Sequence, residues 1–377
     1  MTKRLGMLLA AAIALVLAVS GCSGGSSNNT ITVGVVGPMT GDNAEYGQEM
    51  ANAIKLAAEE FNASGALKGK TIKLDIQDDK NDPNQAAIIA QKFVDAKVTG
   101  VIGHWSSSTT AAGMPAYQKG GIPVVAPTPS KPDLIKLPQD SYIFRTADSQ
   151  EQEGKVMADL FVNKLGKKNI AILYMATDWG NSNHQYLTEN LTRLGAKIVY
   201  DKSYSPGQNI DFQAPLTAMA AAKPDLYYFG ADYNDAAMII KQAREMGITE
   251  TIACRGLEYA NAFIELGGKA VEGVYLNTLF FPDSPDPRDK AFIDAFSKKY
   301  GKLPTINASE SYEAAKVLFE AIRIGGTDRA KVRDALENMK DFVAFNRPVS
   351  FSPTNHNSFN THYIILQVKN GKFTVVQ

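Results

Sequence analysis

The chain has 377 residues, more than one hydrophobic core ordinarily organises, so two lobes of ordinary size are the first expectation. Lysine plus arginine number 39 and aspartate plus glutamate also number 39, a balance that excludes the one-signed field favouring nucleic acid or an anionic membrane surface.

The first segment is separate from the fold. Lys3 and Arg4 precede an apolar run from Leu5 to Val19, the pattern of a signal peptide. It falls short of the ~20 apolar residues that span a bilayer. The run ends in Val19-Ser20-Gly21-Cys22, which resembles the bacterial lipobox, where cleavage ahead of the cysteine leaves Cys22 to carry lipid; an ordinary secretory signal with an incidental cysteine is the alternative. Residues 1–21 are therefore expected to be a lipoprotein signal peptide and 22–30 a lipidated cysteine with a polar, glycine-rich tether. Such a protein is exported and anchored to a bacterial membrane, facing the periplasm or the cell exterior. Several acyl chains make the anchor durable, since each buried methylene contributes about 0.8 kcal/mol. Cys254 is then the only thiol left, which rules out an intramolecular disulfide; with no histidine near it in sequence, it reads as a buried structural residue.

From Ile31 onward, short β-rich apolar runs alternate with longer helical patterns, the mark of parallel βα units and an α/β fold. Strands are expected at Ile31–Val36, Thr71–Gln77, Gly100–Gly103, Ile122–Ala126 and Tyr142–Arg145. The first helix carries Met50, Ala53, Ile54, Ala57, Ala58 and Phe61 at helical spacing. The acidic loop Asp78 to Asp82 before Pro83 reads as a helix cap: Lys80 stands where a calcium loop needs an oxygen ligand. The pattern restarts after Asp148, with strands at Asn169–Tyr174, Lys197–Tyr204, Leu226–Phe229 and Thr251–Cys254, and helices ending near Gly166, Gly195 and Gly247. After Gly273-Val274-Tyr275-Leu276 comes the proline-rich stretch Phe281 to Pro287, which suits a return between lobes. Helices follow at Arg288–Tyr300, Ala308–Ile324 and Arg329–Met339, and a hairpin about Asn370-Gly371 closes the chain.

Ligands of open α/β sheets sit beyond the carboxyl ends of strands, where loops lead into helix N-termini. After the third strand, His104-Trp105-Ser106-Ser107-Ser108-Thr109 offers an aromatic, hydroxyls and a helix start, a combination that attracts a carboxylate. A plain serine N-cap is the competing reading. After the fourth strand, Pro127-Thr128-Pro129-Ser130 is stiff, so the Thr128 carbonyl and Ser130 hydroxyl can face a cleft and accept from an ammonium.

Ile-Gly-His-Trp-Ser-Ser-Ser-Thr (102–109), Val-Ala-Pro-Thr-Pro-Ser (125–130) and Phe-Arg-Thr (144–146) occur in order, together with Val-Gly-Pro-Met-Thr-Gly (36–41), Tyr46-Gly47 and Lys241-Gln242-Ala243-Arg244. On these residues the chain resembles the leucine/isoleucine/valine-binding protein family over nearly all of its mature length. The resemblance implies the type I periplasmic binding protein fold, two Rossmann-like lobes joined by three crossovers near 149, 278 and 361. Lobe 1 is then 31–149 plus 279–361, and lobe 2 is 150–278 plus 362–377. It also implies an extracytoplasmic receptor, expected as a monomer, that closes on an amino acid and hands it to an ABC permease, with no cofactor.

In that family the residue matching Ser107 holds the substrate carboxylate, with nearby amides that here include Ser106, and those matching Thr128 and Ser130 hold the ammonium. In the far lobe, Trp179 stands for a tyrosine, Asp232 or Tyr233 for another, and Glu258 lies near the ammonium-binding glutamate. Gln150 stands where branched-chain binders commonly carry an aspartate, which leaves Asp232 or Glu258 to meet the ammonium. Trp105, Trp179 and Tyr46 are expected to enclose the ligand side chain. Asn81 and Ser106 occupy positions that carry a disulfide in one branch of the family.

The motifs of rival enzyme classes are absent: there is no Gly-x-Ser-x-Gly elbow and no phosphate loop, and His104, His184, His356 and His362 lack zinc-ligand spacing. A ligand sensor without an importer remains open. The ligand is expected to be an apolar amino acid first, then an aromatic carboxylate, then a short amide.

Overall fold

The computed structural model describes residues 29–135, 141–207, 211–256, 260–282, 286–359 and 362–376. The leader with Cys22, the crossover at 361 and Glu258 lie outside these residues, as does part of the proline-rich stretch.

Two sheets organise the chain. The first contains β1 (Thr30–Gly37), β2 (Thr71–Asp78), β3 (Gly100–Ile102), β4 (Val124–Ala126) and β5 (Ile143–Arg145), all parallel, in the order β2-β1-β3-β4-β5. The second contains β6 (Asn169–Met175), β7 (Lys197–Tyr204), β8 (Leu226–Gly230), β9 (Thr251–Cys254) and β10 (Tyr275–Thr278). Its edge is the hairpin β13 (Ile364–Lys369) and β14 (Lys372–Val375), which runs antiparallel beside β10. Asn370 and Gly371 both take positive φ, as a tight hairpin turn requires.

Helices cover both sheets. Those of the first half are α1 (Ala44–Ala63), α2 (Pro83–Asp95), α3 (Ser107–Gly120), α4 (Gln150–Asp159) and α5 (Asp178–Arg193). They are followed by α6 (Gln213–Ala221), α7 (Tyr233–Glu245), α8 (Asn261–Gly267), α9 (Pro287–Tyr300), α10 (Ile306–Gly325) and α11 (Arg329–Glu337). Asp82 caps α2 through its carboxylate, which accepts from the amides of Asn84 and Gln85, with Pro83 as the first helical residue. The acidic loop is therefore a cap.

Core packing assigns the late helices to the first sheet. Phe292, Phe296, Leu318, Val332 and Leu336 from α9, α10 and α11 pack with Val33, Ile54 and Ile102, so the chain leaves the second sheet after β10, completes the first unit, and returns for β13. The molecule is thus an α/β protein of two lobes, with the chain passing between them three times. Cys254 is fully buried in the second lobe's core.

Two features depart from the expected elements. The helix beginning at Gln150 widens into a π-turn over Leu160–Lys164, and a two-stranded ribbon, β11 (Phe342–Val343) with β12 (Pro348–Val349), follows α11. Strands this short present too little alternating pattern to be read from sequence. Among the described residues no helix is long and apolar enough to cross a membrane.

Candidate functional site

The carboxyl ends of β1, β3 and β4 face those of β6, β8 and β9 across a cavity of about 440 Å3. That volume lies within the range of small-molecule pockets. On the first lobe the cavity floor is the start of α3. Ser106 is the N-cap in extended conformation; its hydroxyl accepts from the Thr109 amide at 3.3 Å. Capping thus falls to Ser106 and leaves Ser107 a different job. The Ser107 hydroxyl is buried, lines the cavity and has no partner among the described residues. An orphaned hydroxyl beside helix N–H groups is a place for an anion to accept hydrogen bonds.

Trp105 is held over this floor from behind. Its indole Nε1 donates to Asn307 Oδ1 at 3.0 Å, and its ring stacks on Tyr46 at 4.7 Å between centroids and 20° between planes. Tyr46 is therefore behind the cavity wall and supports Trp105. Tyr233 meets Tyr46 edge-on at 4.9 Å, and its hydroxyl donates to the Asp42 carbonyl at 2.8 Å. This aromatic trio joins the lobes.

The Thr128 hydroxyl donates to the Trp105 carbonyl, tying the loop after β4 to the loop after β3. Ser130 sits outside the large cavity, where it accepts from the Trp179 indole Nε1 at 3.1 Å and hydrogen-bonds the Asp148 carboxyl. Gln150 is buried and donates from Nε2 to the Trp179 carbonyl at 2.9 Å. Both residues position Trp179.

The second lobe contributes a residue missed at the level of sequence. The Arg255 guanidinium lies over the Trp179 ring at 3.6 Å, and its Nη1 stands 2.8 Å from Asp232 Oδ1. Asp232 Oδ2 accepts in turn from Asn43 Nδ2 of the first lobe at 2.9 Å. Burial pushes the Asp232 carboxyl up from the usual carboxylate range, and Arg255 opposes that shift. The strand-end rule applied to β9 singles out Arg255, the first residue beyond that strand. Asn81 and Ser106, the two would-be disulfide positions, both line the cavity.

Beneath the binding loop, His104 Nδ1 lies 2.7 Å from Asp79 and its Nε2 lies 2.9 Å from the Tyr117 hydroxyl, all three buried. Asp79 also accepts from the Asn81 amide at 2.9 Å, so one buried acid steadies two segments of the cavity wall.

The match to known families covers this whole arrangement: the periplasmic binding protein family model spans residues 30–372. The chain belongs to the periplasmic binding protein family. An amino acid binding protein of Pseudomonas aeruginosa is 30% identical over 332 residues, 86% of this chain and 87% of the relative. A leucine-, isoleucine-, valine-, threonine- and alanine-binding protein from the same species is 28% identical over 337 residues, 89% of this chain and 88% of the relative. Among solved structures, the branched-chain amino acid transporter substrate-binding protein LivJ of Streptococcus pneumoniae, in complex with isoleucine, superposes with a TM-score of 0.85 at 28% identity, covering 92% of this chain and 99% of that one. Periplasmic binding proteins are solute receptors, and the cleft here offers hydrogen-bond donors, indole faces and one ion pair. Among the described residues no group of three or more His, Cys, Asp or Glu side chains is arranged to hold a metal ion.

Proposed function

We propose that the protein is the substrate-binding component of an ABC importer, capturing an apolar amino acid between its lobes without chemical change. The observation that carries this reading is the buried, unpartnered Ser107 hydroxyl at the start of α3, in a cavity walled by Trp105 and Trp179. The ligand carboxylate accepts from Ser107 and the adjacent amides. The ammonium is directed to the Thr128 carbonyl and Asp232, and the apolar part lies against the two indoles.

Lobes 31–149 plus 279–361 and 150–278 plus 362–377 rotate about their three connections, and the chain works as a monomer. Cys22 carries a lipid anchor that holds the receptor outside the cytoplasm, beside its permease. The relatives' amino-acid ligands support the assignment. A thermal-shift screen of the free amino acids tests it: a ligand at a hundredfold excess over Kd stabilises by about 2.7 kcal/mol. No shift with any amino acid sinks the reading.

One observation favours a second ligand class. Asp232 already accepts from Arg255 and Asn43, which leaves less capacity for an ammonium. An aromatic carboxylate needs none and would stack on the tryptophans. The same screen, extended to benzoate derivatives, separates the two.

A further inference from the structure

On the other side of Trp179 and Arg255 from the ligand cavity lies a second, much smaller one of about 10 Å3, room for a single water and nothing larger. It sits where the chain passes between the lobes. Asp148 reaches it from the first passage, Glu310 from α10 of the first lobe, and Glu153 from α4 of the second. Glu153 and Glu310 are buried; Asp148 is half-buried as a residue, with its carboxyl turned inward to the Ser130 hydroxyl.

The cations around this cluster are largely committed elsewhere. Arg347 pairs with Glu313 and donates to the Thr146 carbonyl at 2.8 Å. Arg255 pairs with Asp232 while facing Asp148 and Glu153. Arg145 directs its guanidinium to the carbonyls of Pro129, Lys131 and Pro132. The Tyr363 hydroxyl donates to the Ser149 carbonyl at 2.9 Å. Glu153 accepts from the amides of Asn183 and Asn277, each at 3.2 Å. Two acceptors, Glu310 Oε1 and Asn277 Oδ1, then remain without a donor among the described residues, both buried and both in residues that line the small cavity. Acceptors crowded about so small a space call for hydrogens, which a water or a protonated acid supplies, and the space is too small for a hydrated ion.

We propose that closing the cleft takes up one proton, held between Asp148 and Glu310 where the lobes join, so that ligand capture is linked to pH at a site remote from the ligand. The inference rests on the ligand-driven closure proposed above.

The sign follows from which groups face which. Burial first, and Glu153 of the opposite lobe next, push the Asp148 carboxyl up to about 7, against Arg255, Ser130 and Arg145. Glu310 is pushed well up by burial, Asp148 and Glu313, against Arg347 and the Asp148 amide. Opening admits water and separates Glu153 from Asp148, which outweighs the loss of Arg255. The acids are therefore weaker when closed. Closure binds a proton, is favoured at low pH, and loses that advantage as pH rises through about 7.

Calorimetry on the full chain with L-leucine as probe, in buffers of differing ionisation heat, reads the proton directly. Uptake approaching one proton is expected below neutral pH, with affinity falling by up to about tenfold per pH unit as pH rises toward about 7 and levelling off above it. The double variant Asp148→Asn with Glu310→Gln, which mimics the neutral acids, is expected to lose the uptake and hold its low-pH affinity; Asp148→Asn alone, expected to lose the part of the pH dependence that ends near 7, is the second variant should the double one not fold. Leucine binding without proton uptake in the native chain overturns the inference and leaves the ligand reading intact. If leucine gives no heat at any pH, the amino-acid reading fails instead, and X-ray scattering of the ligand-free chain decides. The closed population should then grow as pH falls in the native chain and stay level in the double variant; a profile of the native chain indifferent to pH overturns the inference.

Discussion

Trp179 and Ser130 join the two lobes through one hydrogen bond, the indole Nε1 standing 3.1 Å from the serine hydroxyl with both side chains buried. Trp179→Phe removes the donor and keeps a ring under Arg255. We expect ligand affinity to fall by about 0.5–1.5 kcal/mol, the usual net worth of one hydrogen bond, because only the closed form makes it. Scattering should show a more open ligand-free chain, and an unchanged profile would remove the bond from the closing mechanism.

Ser107→Ala deletes the orphaned hydroxyl. Affinity for carboxylate ligands should weaken by about 1.5–3 kcal/mol, the range for hydrogen bonds to charged groups, while the melting temperature of the free protein hardly moves. Loss of stability without loss of affinity in calorimetry would place this hydroxyl outside the site.

Asp232→Asn leaves Arg255 facing a neutral group in a buried setting. Breaking such a pair costs on the order of 3 kcal/mol, so the urea midpoint should drop. A double substitution with Arg255→Met should recover part of the loss, since it removes the stranded charge. Additive losses would show that the two side chains act independently.

Gly180→Ala tests the backbone beside Trp179. A Cβ there would overlap the Met175 carbonyl, because the start of α5 turns back tightly onto the end of β6. Overpacking of this kind costs about 1–3 kcal/mol, and thermal denaturation should register it. Native stability in this variant would mean that the turn has room to relax.

The strands and the main helices were legible because their periodicities differ and because Gly166, Gly195 and Gly247, which take positive φ, mark helix ends. Ser107 was legible for the same kind of reason: a helix start after a strand exposes amides wherever the fold is α/β. Which of three adjacent serines caps the helix was not, since that depends on a single residue's backbone conformation. The commitment of Ser130 to Trp179 is a contact between the lobes, and the withdrawal of Tyr46 behind Trp105 a contact within the first lobe between segments far apart in sequence. No local pattern encodes them. Arg255 follows a buried strand as any surface arginine might, and only the meeting with Trp179 and Asp232 gives it a role.

The return of the chain from the second sheet to finish the first has a bearing on biosynthesis. The parallel strands β1 to β5 are made early, yet α10, which seals one of their faces, is translated only after most of the second lobe. Until then α1 alone packs on that face and part of the apolar sheet lies open, a state prone to aggregation. The nascent polypeptide must therefore be kept from collapsing or sticking until the residues from Ile306 onward arrive, and a ribosome-bound fragment ending before Ile306 is expected to be protease-sensitive in its first lobe.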